Sequence, residues 1–114
     1  MALVNLVNIA NNLPQSWSSS VLGLVGHTQF KVLRMAESAY VDETHDFSEV
    51  LLVIEGQLNL IIHNETVMVK AGEAYIIPAN TPHSVGVGSF GTLAIIDPSS
   101  LLSKCVTCCI KSSK

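Results

Sequence analysis

The sequence predicts an all-β domain closed into a barrel or a two-sheet sandwich, and three observations point there. From Thr28 to Ile96, short runs rich in β-branched residues follow one another with hardly a helical period among them. Turn residues break these runs at intervals of about eight to twelve positions. Charged residues make up only 13% of the 114 positions, about half the roughly 25% usual for a soluble domain. So few charges would leave open sheet edges unprotected, and closure removes those edges.

Taken in order, residues 1–27 form an N-terminal arm, 28–98 the barrel and 99–114 a tail. In the arm, the stretch through Ala10 is apolar but broken by Asn5 and Asn8. It has no basic leader pattern, and no apolar run reaches membrane-spanning length. Asn11-Asn12-Leu13-Pro14 reads as a turn, the serines around Trp17 as loop or one helical turn, and 21–25 as an extra strand. The arm is expected to pack on the outside of the barrel or on a partner subunit.

Eight strands are expected in the barrel, at 28–36, 39–44, 49–54, 57–62, 66–69, 74–77, 83–87 and 92–96. They are separated by Gly56, by His63-Asn64-Glu65, by Ala71-Gly72, by Pro78 to Pro82 and by Gly86 to Gly91. All three cysteines, Cys105, Cys108 and Cys109, fall in the tail. A Cys-x-x-Cys pair needs a second ligand pair, or a strand followed by a helix, before it implies zinc or redox chemistry. Neither accompanies it, so an exposed tail is the simpler reading.

Net charge is −3, and the six Lys and Arg are scattered apart from Lys104, Lys111 and Lys114. That excludes a nucleic-acid-binding surface of the usual basic kind. The expectations are no nucleic acid, no membrane, a cytoplasmic location, and a homo-oligomer, most simply a dimer, that covers uncharged surface.

The chemistry concentrates in two segments. The first runs Glu43-Thr-His45-Asp-Phe-Ser-Glu49 and on to Gly56; the second runs from Gly72 through Pro78 and Asn80 to His83. Residues two apart on a strand share a face, so Glu43 and His45 point inward together. Glu49 follows a tight 46–48 turn, and a β-hairpin would set it across from that pair. Leu51 and Val53 share its face and would form a dry wall. His83 arrives from a separate strand.

These segments resemble the two sequence motifs of the cupin family. His45, three residues, Glu49, six residues and Gly56 fit the first motif. Gly72, five residues, Pro78, then Asn80, two residues and His83 fit the second. The resemblance covers about residues 28–97 and implies a double-stranded β-helix, or jelly-roll barrel, with one divalent metal ion inside. It assigns His45, Glu49 and His83 as ligands.

The departures are Glu37 and Val87 at flanking positions, Asn80 in place of a glycine, and Glu43 where an imidazole is usual. Asn is the next best residue after Gly for a left-handed turn. Glu43 would be a fourth ligand, a neighbour of the ligands, an exposed carboxylate, or a general base acting on a bound water. Imidazole with carboxylate suits Mn, Fe, Zn, Ni or Co.

Two functions follow. One is a metal-dependent oxygenase, isomerase or lyase acting on a small oxygen-rich molecule. The other is a non-catalytic module that binds or senses a small molecule, with a structural or ligand-holding metal. His27 and His63 match no ligand position and are expected in solvent; Tyr40, Tyr75, Phe47 and Phe90 read as packing residues. Gln57 and Asn59 alternate along one strand and either line the pocket or face outward.

Overall fold

The computed structural model describes residues 3–37, 40–98 and 105–107. Its elements are α1 (Leu6–Asn11), β1 (Ser20–Val25), β2 (Thr28–Met35), β3 (Tyr40–His45), β4 (Glu49–Ile62), β5 (Glu65–Lys70), β6 (Ala74–Ile77), β7 (His83–Val85), β8 (Phe90–Pro98) and β9 (Cys105–Thr107). Every strand pairing is antiparallel.

Among the described residues the strands make one curled nine-stranded sheet, and long strand β4 is common to its two arms, called the two sheets below. Its first half lies between β8 and β6, in a sheet continued by β2 and β1. Its second half lies between β5 and β7, in a sheet continued by β3 and β9. The two sheets face each other, and the result is an all-β jelly-roll barrel.

Gly56 was expected to be a turn between two strands, and that expectation is corrected. The chain runs through it without leaving the ladder, because Gly56 (φ 85°) and Gly91 (φ 104°) are register partners at the crossing of β4 and β8. A Cβ on Gly56 would collide with the Phe90 carbonyl oxygen, and one on Gly91 with that of Glu55. Two glycines with positive φ allow the backbones to approach and β4 to change sheets, next to a register shift between Val53 and Glu55. The true turn comes at His63 and Asn64. Both have positive φ (55° and 63°), the two-residue geometry that matches strand twist in a hairpin.

Strand alternation sorts the side chains. Leu33, Met35, Leu51, Val53, Leu58, Leu60, Ile62, Val69, Ile77, Val85, Leu93 and Ile95 form one buried cluster between the sheets, joined by Trp17. On the opposite face of β2 and β8, Val32 and Ala94 are buried with Ala10 of α1, which packs against those strands. This helix was not anticipated. Six residues are too few for propensity to show in a sequence, and the helix depends on tertiary contacts. Asn5 caps its start by accepting from the Asn8 N–H at 2.9 Å, and Arg34 Nη1 donates to the Ala10 and Leu13 carbonyls at its end (2.8 and 3.0 Å).

Strand β1 forms at the place expected for an extra strand. Phe90, read as a packing residue, is half exposed, because it sits beside the Gly91 crossing on the outer side. Cys105 lies in β9 beside β3, while Cys108 and Cys109 are outside the described residues. Among the described residues, no helix is long and apolar enough to cross a membrane.

Candidate metal centre

Three site residues come from one sheet and the fourth from the other. Glu43 of β3 and His83 of β7 are direct register partners, and His83 is also paired with Ile62 of β4. His45 lies two residues beyond Glu43, on the same face. Glu49 opens β4 in the facing sheet, where its partner is Ile77.

The hairpin expected between Glu49 and the Glu43–His45 segment is corrected here. Strand β3 pairs with β7 and β9, and the 46–48 turn carries the chain over to the other sheet. A turn signal marks where a chain reverses but not which sheet receives it. The consequence is favourable: Glu49 approaches the histidines across the barrel interior instead of lying beside them.

Loop 78–82 fixes this crossing. Asn80, with φ 62°, donates its N–H to the His45 carbonyl at 2.6 Å, and the Ala79 N–H donates to Ser48 Oγ at 3.2 Å. The left-handed conformation expected of Asn80 is thus present, and it ties the loop leading to His83 against the turn that separates His45 from Glu49.

All four side chains are enclosed, with 3% of Glu43, 7% of His45, 7% of Glu49 and 5% of His83 exposed. His45 Nε2 lies 3.0 Å from Glu43 Oε1 and 3.6 Å from Glu49 Oε2, and His83 Nε2 lies 3.3 Å from the same Glu49 oxygen. One donor atom each from Glu43, His45 and His83 falls within 4.8 Å of the others. A set of two imidazoles and a carboxylate gathered so closely makes this a candidate three-residue metal site, with Glu49 on its border.

The imidazoles are oriented for such use. His83 Nδ1 is 2.9 Å from the Thr81 carbonyl, which can only accept, so Nδ1 carries a proton and Nε2 faces the carboxylates. The His45 ring stacks on Phe47 with centroids 4.8 Å apart and 14° between planes. Burial alone would lower the His83 pKa. The hydrogen bonds to Glu49 and Thr81, with the charges of Glu49 and Glu43, outweigh it and hold the pKa above the ordinary 6.5.

Leu51 and Val53, expected to wall the site, are buried, 5% and 0% exposed. His27 and His63 are exposed, as expected. Gln57 and Asn59 face outward, where their side-chain amides donate to the carbonyls of Gly88 (3.5 Å) and Val87 (2.9 Å). A cleft of about 390 Å³ runs along 61–64 and 80–84, and of the four site residues only His83 lines it.

Two ionisable residues of the interior were not singled out from the sequence. Lys31 and Asp97 form a buried ion pair at 2.9 Å. Their signal is strand alternation: Lys31 shares a face with Leu33 and Met35, and Asp97 shares one with Leu93 and Ile95.

Comparison with known proteins agrees with this architecture. Residues 32–97 match the family model described as Cupin domain. A crystal structure of a cupin-2 domain containing protein from Shewanella frigidimarina NCIMB 400 is 28% identical, with 84% of this chain and 94% of that one covered at a TM-score of 0.76. A protein from Neisseria meningitidis is 19% identical, with 86% and 100% covered at 0.73. Hydroquinone 1,2-dioxygenase PnpCD, solved with Cd²⁺ and 4-hydroxybenzonitrile, is 16% identical, with 83% and 71% covered at 0.70. None of the curated proteins matches the chain. The family match spans more than half of the chain, and the chain belongs to the cupin domain family.

Proposed function

We propose that this cupin holds one divalent metal ion on Glu43, His45, His83 and Glu49, and that it is a metal-dependent enzyme acting on a small oxygen-rich molecule. The observation that carries this reading is the convergence of two imidazole Nε2 atoms and two carboxylates in a closed, apolar-walled end of the barrel. Carboxylates are rarely buried without a partner. Here two carboxylates enclosed with two imidazoles are well matched to a divalent cation. The donors are oxygen and nitrogen only, which suits Mn, Fe, Zn, Ni or Co.

When bound, such an ion would supply Lewis acidity and open coordination positions, the requirement shared by oxygenase, isomerase and lyase chemistry. The chain's own residues do the rest. The Thr81 carbonyl fixes the His83 tautomer, and Phe47 fixes the plane of the His45 ring. Leu51, Val53 and Ile77 keep water away. Glu43, hydrogen-bonded to His45, is either a ligand or the base that takes a proton from the bound molecule. The dioxygenase neighbour shares the fold and was solved with a divalent ion and an aromatic ligand, which agrees with this class of chemistry.

The test is turnover by metal-loaded protein over a panel of small hydroxy acids, keto acids, diols and phenols. Glu43→Gln separates its two roles: loss of metal marks a ligand, and retained metal with turnover lowered about 10²-fold or more marks a base. A panel with no turnover by fully loaded protein would overturn the enzyme reading.

The shortness of the connections around the site favours a second reading, a non-catalytic binding module. Turn 46–48 and loop 78–82 are too short to close over a ligand. Under that reading a ligand raises the melting temperature and no product forms.

The dimer belongs to the same proposal. Strand β1 lies at a sheet edge and exposes Leu24 and Val25 (60% and 77%). Light scattering is expected to give a two-chain mass that falls to one chain in Leu24→Lys/Val25→Lys.

A further inference from the structure

Among the described residues, Lys31 is the only lysine or arginine that is buried, at 7% exposure. It points into the barrel with Leu33 and Met35, and its Nζ meets Asp97 Oδ2 at 2.9 Å. Asp97 is held on its other oxygen by Gln29 Nε2 at 3.2 Å.

The ladder between β4 and β8 places this pair beside the candidate metal centre. Leu51 is paired with Ile95 and Val50 with Ile96, where the paired register ends; Glu49 and Asp97 are the next residues of the two neighbouring strands, and both are buried. Neighbouring strands lie about 4.8 Å apart. The interior therefore has one wall of metal donors, Glu43, His45 and His83, and an opposite wall where Glu49 stands beside Asp97 and its ammonium partner.

A buried ion pair of this kind is a poor source of stability. Exchanging such pairs for packed apolar residues is often neutral or favourable, and the same face already carries Leu33, Leu93 and Ile95. Charge balance shows what the pair permits. With a divalent ion bound, the three carboxylates of Glu43, Glu49 and Asp97 are cancelled by the ion and Lys31 together. Without Lys31 the interior would be negative and would repel an incoming anion.

We propose that Lys31, paired with Asp97, is the anchor for the carboxylate of a small metal-chelating carboxylic acid, and so sets the ligand class of this site. The proposal rests on the metal-centre reading above. The ligand's chelating oxygens would face the histidine wall and its negative charge the ammonium.

Isothermal titration of Mn²⁺-loaded protein with malonate tests it, using wild type, Lys31→Met, Asp97→Asn and the apolar pair Lys31→Met/Asp97→Leu. Both Lys31 variants should keep wild-type metal content and bind malonate about 10- to 100-fold more weakly, the worth of a hydrogen bond to a charged group. Asp97→Asn removes a negative charge beside the ligand and should bind at least as tightly as wild type. The paired apolar variant guards against a fold weakened by one orphaned charge. If the Lys31 variants match wild type, or Asp97→Asn weakens binding as much as Lys31→Met, the pair is structural and the proposal falls. If wild type takes up no metal, the metal-centre reading itself falls.

Discussion

The two halves of one barrel interior make opposite demands on the same strands. In one half Leu33, Leu58, Leu60 and Leu93 are at most 1% exposed and need nothing but each other. In the other half Lys31, Glu43, His45, Glu49, His83 and Asp97 are 3–7% exposed, and each requires a charged or hydrogen-bonding partner. Strand β4 supplies both halves, with Glu49 at its start and Leu58 and Leu60 beyond Gly56. The backbone is common, so the difference lies in the side chains. The apolar half supplies most of what holds the fold, and the polar half is the weaker source of stability.

The largest expected effect attacks the apolar half. Leu58→Ala should lower unfolding free energy by about 2–5 kcal/mol through lost burial and a residual cavity, read by urea denaturation, while the folded fraction still takes up metal. Loss of metal with stability intact would break the division between the halves.

A smaller effect sharpens the polar half. The His83 pKa is raised in the folded protein, so its stabilisation of the metal-free barrel is fully present below the unfolded value of 6.5 and is lost as pH rises through the folded value. Urea midpoints of metal-free protein should carry this decline on rising from about pH 6, and His83→Gln should remove it. Metal must displace the same proton, so metal affinity should increase over the same window. An affinity flat with pH would show that His83 is not a ligand.

The sequence makes the polar half unusually legible. His45, Glu49 and His83 are picked out by the resemblance to the two cupin motifs, and alternation about Glu49 correctly places Leu51 and Val53 in the interior. Asn80 is legible because so few residues accept positive φ. What escapes is long-range. Gly56 reads as a turn until Gly91, thirty-five residues later, is found against it. The hairpin expected at 46–48 fails for a similar reason, since local turn chemistry is blind to sheet membership. Lys31 is hard to read although its face is given by Leu33 and Met35, because one cation in an apolar strand normally means a solvent-facing position.

One measurement bears most directly on the claim that the polar half is a metal centre. Untagged protein stripped with chelator and dialysed would be titrated calorimetrically with Mn²⁺, and then with Fe²⁺, Zn²⁺, Ni²⁺ and Co²⁺, in two buffers of different ionisation enthalpy. The expected result is one ion per chain with proton release, abolished by both His45→Ala and His83→Ala. Saturable binding that survives those substitutions, or no binding of any of the five ions, would contradict it.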